Sequence, residues 1–110
     1  MIAGVGTDIV EVERFKTKDE LWKRFLSEKD LEYISKFKFK EERIAGFWAA
    51  KEALVKALNK RDFNFSWVTI AHDENGKPFF DFDRFEIEGK VHLSISHERK
   101  FATAVVIWEK

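Results

Sequence analysis

At 110 residues, with 20 Lys and Arg against 20 Asp and Glu, the chain carries no formal net charge. No bulk field is therefore expected to hold nucleic acid or an anionic membrane surface. Hydrophobic residues make up 45%, including twelve Phe and four Trp, which suits a single domain over residues 1–110 whose core needs no metal or disulfide staple. Cysteine is absent, which excludes disulfides, thiolate metal sites and a Cys nucleophile. With no leader-like segment and no run of about 18–20 apolar residues, a soluble cytoplasmic protein is expected.

Ile2 to Val12 (IAGVGTDIVEV) is apolar and β-branched, interrupted by Gly4 and Gly6, and reads as a strand whose backbone something approaches closely. Asp8 lies in it between Val5 and Ile9, either at a sheet edge facing water or placed for a cation. Thr17-x-x-Glu20 has capping-box spacing, and Leu21, Trp22, Phe25 and Leu26 follow with helical periodicity, predicting a short helix from about Lys18 to Leu26. Ser27-x-x-Asp30 repeats the cap pattern before Leu31, Ile34 and Phe37, which gives a second short helix. Lys36–Lys40 is read as a solvated connection.

The long element is Arg43–Leu58, opened by Glu41 and Glu42 and stopped near Asn59. At 100° per residue Ile44, Phe47, Trp48, Leu54, Val55 and Leu58 form one apolar stripe. Glu52 and Lys56 fall together at its edge. Their plainest reading is a solvent-exposed i,i+4 ion pair contributing roughly 0.2–0.5 kcal/mol. Ala45 and Ala49 beside them leave room for another backbone or a ligand. Lys51 lies inside the stripe, so it either snorkels outward or serves a site.

After a loop at Lys60–Phe65 the period changes to two from Trp67, through Val68, Ile70 and His72. Asn75-Gly76 is the strongest hairpin signal, and Pro78 enters the returning strand Phe79–Phe82. Val91, Leu93, Ile95 and His97 alternate with His92, Ser94 and Ser96. A turn at Glu98–Lys100 leads to a last strand, Phe101 to Trp108. Early helices and late hairpins define an α+β fold, with a largely antiparallel sheet on the long central helix and two short N-terminal helices.

Two carboxylates with water and substrate phosphates would suit magnesium, and Asp8 and Glu52 are the candidates. Lys56, one turn beyond Glu52, would then meet phosphate oxygens as a point charge. Such a set fits phosphoryl-type transfer, where positioning and charge neutralisation dominate. His97 ends a strand after a polar Ser-x-Ser face, where a hydrogen-bonded structural role competes with a catalytic one. His72 and His92 have no spacing that pairs them as metal ligands.

Taken together, GVGTDIVEVER (Gly4–Arg14), FWAAKEALVKAL (Phe47–Leu58), NGKP (Asn75–Pro78) and LSISH (Leu93–His97) resemble the holo-[acyl-carrier-protein] synthase family of small 4'-phosphopantetheinyl transferases. The resemblance implies that fold, with magnesium on Asp8 and Glu52 and coenzyme A phosphate on Lys56. It implies transfer of phosphopantetheine from coenzyme A to a serine of apo-acyl carrier protein, with release of adenosine 3',5'-bisphosphate, in fatty acid biosynthesis. The base that takes the serine proton stays open between Glu52 and a metal-bound water. The family's trimers hold their active sites between subunits, so His97 and the turn Asn75, Gly76 and Pro78 would complete a site whose Asp8 comes from another chain. Arg14, with Lys18, Lys23 and Arg24 on the following helix, would dock the acidic carrier.

Two departures from the family stand out. Members often carry Arg where this chain has Phe47, and a glycine-rich loop where Asn59–Asn64 has no glycine. Lys60 and Arg61 are the candidates to replace the lost phosphate contacts. Alternative readings are a transferase acting on a secondary-metabolism carrier domain, and a non-catalytic binding module of the same fold.

Overall fold

A computed structural model describes residues 1–16 and 20–110. The predicted cap at Thr17 and the start of the first helix at Lys18 lie outside the described residues. The element order is β1 (Ile2–Glu11), a 3-10 turn at Val12–Phe15, a second at Glu20–Arg24, α1 (Glu28–Ile34), α2 (Lys40–Leu58), a third 3-10 turn at Phe65–Trp67, β2 (Val68–His72), β3 (Pro78–Phe82), β4 (Lys90–His97) and β5 (Phe101–Glu109). The architecture is α+β, with antiparallel strands against a long helix. The strands divide into two sheets, β1-β5-β4 and the hairpin β2-β3. Of the two short N-terminal helices only α1 is α-helical; the first is a 3-10 turn, with Trp22 and Phe25 still turned to the core.

The seam between β1 and α2 positions the site. A Cβ built on Gly4 would overlap the carbonyl oxygen of Ala57, and one on Gly6 that of Ala53. Only glycine lets the strand lie this close to the helix. The backbone approach read from the two glycines is therefore real, and it falls on Ala53 and Ala57 rather than on Ala45 and Ala49. It also changes the character of α2. The expected stripe is buried apart from the half-buried Trp48, but Ala45, Ala49, Ala50, Ala53 and Ala57 are buried too, so the helix is enclosed on nearly every side. Gly6→Ala should lower stability by at least about 1–3 kcal/mol, because a backbone carbonyl cannot move aside cheaply. Gly46→Ala is the contrast, since its added methyl meets only the end of the Ile95 side chain at 3.1 Å. Thermal unfolding of the two variants checks this, and equal melting temperatures would refute it.

The Ser27 cap forms as read: the Asp30 N–H donates to Ser27 Oγ at 3.1 Å, and the Ser27 N–H donates to Asp30 Oδ2 at 3.0 Å. Lys51 neither snorkels nor faces a site. It is fully buried, and its ammonium donates to Asp30 Oδ2 at 2.6 Å and to the carbonyls of Phe25 and Phe65 at 2.6 and 2.9 Å. The other Asp30 oxygen accepts the Ile70 N–H at 2.9 Å. One buried ion pair thus fastens α2 to α1, to β2 and to the chain before and after them.

The hairpin at Asn75-Gly76 closes differently from a two-residue turn. Gly76 N–H donates to the Asp73 carbonyl at 2.9 Å, so Glu74 and Asn75 are the central residues and Gly76, at φ +83°, follows them. Asp73 Oδ1 accepts the N–H groups of Asn75 and Lys77 at 2.8 and 2.9 Å, and this carboxylate fixes the loop.

Candidate active site

Asp8 and Lys56 come together across the glycine seam. β1 is an edge strand, and Asp8 lies on its inward side in step with Gly4 and Gly6. Lys56 Nζ donates to the Thr7 carbonyl at 2.8 Å and stands 3.5 Å from Asp8 Oδ1. The expected pairing of Lys56 with Glu52 is replaced, because the strand passing alongside offers a carbonyl and a carboxylate to the same ammonium. Along the seam Gly4 matches Ala57 and Gly6 matches Ala53, so each step of two on the strand is one helical turn. By that spacing Asp8 is in step with Ala49, one turn before Ala53, while Glu52 and Asp8 line different cavities.

Glu52 lines a neighbouring groove of about 470 Å³, with Arg14, Arg24 and the aromatic rings of Trp22, Phe25 and Trp48. Of the predicted carrier contacts, Arg14 and Arg24 thus share the Glu52 groove. Lys23 lines a different cavity, with Ser27 and Trp67, and Lys18 lies outside the described residues. Asp8 and Lys56 open instead onto a hollow of about 460 Å³, with Thr7, Ile9, Ser94 and Ser96.

His97 lies elsewhere. Its Nδ1 is 2.9 Å from Glu42 Oε1, and the ring lines a small cavity of about 130 Å³ together with Gly76 and Pro78. His97 of the LSISH motif and Gly76 and Pro78 of the NGKP motif therefore line one cavity. They do not meet Asp8 and Lys56 in the same cavity of one chain. Lys60 pairs with Asp62 at 3.2 Å in the exposed loop after α2, and Arg61 beside it is exposed.

Several residues of the His97 cavity were not singled out from sequence. Tyr33 stacks on His72 with centroids 4.2 Å apart and planes at 13°, and on Phe47 at 5.9 Å. Burial, then the nearby Arg43 charge, push the His72 pKa below its ordinary value. Arg43 completes the wall, its guanidinium carbon 4.0 Å from the centroid of Phe37. Glu42 had a dipole role to explain it, and Arg43 sat in an ordinary first turn. Only the tertiary fold brings them to His97.

Among the described residues no group of three or more His, Asp or Glu is gathered to hold a metal by itself. Two hard carboxylates with an adjacent cation suit magnesium, which takes few protein ligands and leaves other positions to water and phosphate. Two such carboxylates beside a lysine, gathered in one site, are what phosphoryl-type transfer would use. The 4'-phosphopantetheinyl transferase superfamily profile matches residues 4–106. Holo-[acyl-carrier-protein] synthase of Petrotoga mobilis is 40% identical, with 99% of each chain covered, and that of Halothermothrix orenii is 42% identical, covering 100% of this chain and 99% of the relative. Among solved structures, a Bacillus anthracis holo-(acyl-carrier-protein) synthase in complex with CoA (3',5'-ADP) has a TM-score of 0.90 at 36% identity, over 100% of this chain and 98% of that one. The Helicobacter pylori synthase in complex with coenzyme A has a TM-score of 0.83 at 29% identity, over 96% and 99%. The chain belongs to the holo-[acyl-carrier-protein] synthase family of 4'-phosphopantetheinyl transferases.

Proposed function

We propose that this chain transfers the 4'-phosphopantetheine group of coenzyme A to a serine of apo-acyl carrier protein, in the cytoplasm and for fatty acid biosynthesis. The observation that carries the reading is Asp8 set against Lys56 on the glycine seam, with Glu52 one turn before Lys56 on α2. In the reaction the serine gives up its proton, to Glu52 or to a water, and its oxygen forms a bond to the β-phosphorus of coenzyme A. The phosphorus–oxygen bond to the nucleotide breaks, and adenosine 3',5'-bisphosphate leaves with the electron pair. Asp8 and Glu52 would hold magnesium, which when bound neutralises charge on the diphosphate. Lys56 adds a second positive charge there, and its bond to the Thr7 carbonyl holds it in place. Mass spectrometry of apo-carrier incubated with this chain, coenzyme A and magnesium tests the reading. An unmodified carrier would refute it and favour the non-catalytic alternative.

The active unit is a homotrimer in this reading. Val5 and Ile9 on the outer face of β1 are 55% and 65% exposed, and by register they stand opposite Ile107 and Thr103 of β5. Exposed apolar side chains such as Val5 and Ile9, set among Thr7, Ser94 and Ser96 on this face, suit a covering partner. The cover would reach the free edge of β1 and bring a neighbour's His97 cavity toward Asp8. Mixing the inactive variants Asp8→Ala and His97→Ala should then restore part of the activity in hybrid trimers. An active monomer in sedimentation would end this proposal.

Carrier docking falls to Arg14 and Arg24, which flank the aromatic groove that Glu52 also lines. Arg14→Glu should raise the KM for acyl carrier protein about tenfold and leave coenzyme A affinity nearly unchanged. Added salt should weaken the wild-type reaction in the same way, since exposed charges are screened within about 8–10 Å. An unaltered carrier KM at low salt would place the docking surface elsewhere.

A further inference from the structure

The buried ammonium of Lys51 reaches two separate 3-10 segments. It donates to the Phe25 carbonyl at 2.6 Å, just after the turn Glu20–Arg24, and to the Phe65 carbonyl at 2.9 Å, in the turn Phe65–Trp67. One donor thus clamps the two turns together. Asn64 fixes the second turn from its own side: its side-chain oxygen accepts the Ser66 N–H and hydroxyl at 2.9 and 2.8 Å, and its carbonyl accepts the Trp67 N–H at 3.0 Å. The result is a ridge between two hollows. Arg24 and Phe65 line the groove that Glu52 shares, whereas Lys23, Ser66 and Trp67 line a second cavity of about 620 Å³. Consecutive residues of each turn serve different hollows, so the ridge is their shared wall.

The second hollow carries an anchor that the fold leaves open to solvent. Trp67 is 38% exposed, with the Arg84 guanidinium carbon 5.6 Å from its ring centroid. Arg84 is itself exposed, and among the described residues no carboxylate lies within ion-pair distance of it. Lys23, Lys29 and Arg84 outnumber Glu28 and Asp83 around this hollow, while the chain as a whole is neutral, so this side offers a local positive field. An exposed Trp beside an Arg without an acid is the composition of an interface anchor. A specific complex covers about 800 Å² a side, on roughly 20–30 residues, more than the few side chains of the Glu52 groove provide. A partner seated on Arg14 and Arg24 therefore spreads beyond that groove, and across the ridge it meets Trp67 and Arg84. We propose that the acidic carrier protein straddles the ridge, with Trp67 as an apolar anchor and Arg84 pairing with a carboxylate of the carrier. This rests on the carrier reading above and adds to it a contact surface that lies outside all four sequence motifs.

The test is steady-state transfer to apo-acyl carrier protein by the full chain, with coenzyme A affinity measured separately by calorimetric titration. Arg84→Glu should raise the KM for the carrier about three- to tenfold at low salt, while kcat and coenzyme A affinity change less than about twofold. Trp67→Ala should raise the same KM about 5- to 30-fold, the range of an interface anchor. High salt should erase most of the difference between wild type and Arg84→Glu and leave that of Trp67→Ala in place. Circular dichroism establishes that each variant is folded, and where Trp67→Ala is not, Arg84→Glu decides alone. With a wild-type chain that modifies the carrier, an unchanged carrier KM in either folded variant would overturn this inference alone. So would a parallel loss of coenzyme A affinity, or an Arg84→Glu effect that salt does not touch. A wild-type chain that leaves the carrier unmodified would overturn the functional reading and this one with it.

Discussion

Lys51→Met should cost about 3–5 kcal/mol of folding stability, the usual penalty for removing one partner of a buried ion pair. The reason lies in what stays behind. Asp30 is 0% exposed, and without the ammonium its charge would be answered only by two backbone N–H groups, those of Ser27 and Ile70. The carbonyls of Phe25 and Phe65 would lose the donor that satisfies them, and each buried unpaired acceptor carries its own penalty. Burial pushes the Lys51 pKa down and the Asp30 charge pulls it back, so the pair tolerates the interior only as a unit. Adding Asp30→Asn to Lys51→Met removes the stranded charge and should recover part of the loss. Urea unfolding at constant slope is the measurement. A single-variant loss below about 1 kcal/mol would mean that the ammonium is replaced by water, contrary to the sealed geometry.

That pair also shows where sequence reasoning stops. The Ser27–Asp30 cap is legible because its partners are three residues apart and the chemistry is local. Lys51 is legible only as an anomaly inside an apolar stripe, since its acid lies in a different helix. Gly4 and Gly6 announce a close approach without naming Ala57 and Ala53 as what approaches. The amphipathic stripe of α2 marks the face toward large side chains. It misses the burial of the alanine face, because a glycine-thinned strand covers that side with backbone, which no hydrophobicity pattern records. The same strand diverts Lys56 from Glu52 to Thr7. Asp8, Glu52, Lys56 and His97 were readable as candidates because they sit in motifs of fixed spacing. The cavity that joins His97 to Glu42, Arg43 and Tyr33 is made by contacts between separate elements.

Asp8→Asn and Glu52→Gln should each lower kcat for phosphopantetheine transfer on the order of 10²- to 10³-fold, with little change in fold. The fold should survive because the Asp8–Lys56 pair is partly solvated, with 18% and 47% of the two side chains exposed, and such pairs contribute at most about 1 kcal/mol. The kinetic loss should be large because both carboxylates are assigned to one charge-balancing role opposite the diphosphate, where a neutral amide is a weaker ligand for a divalent cation. Each variant should also need more magnesium for half-maximal rate, and high magnesium should restore part of the activity. That dependence separates the metal role from a structural one. If Asp8 only anchored Lys56, Asp8→Asn would behave like Lys56→Ala, with weaker coenzyme A binding and an unchanged magnesium requirement. Titrating magnesium against rate for Asp8→Asn, Glu52→Gln and Lys56→Ala decides between them, and coincident curves for all three would remove the metal from Asp8 and Glu52.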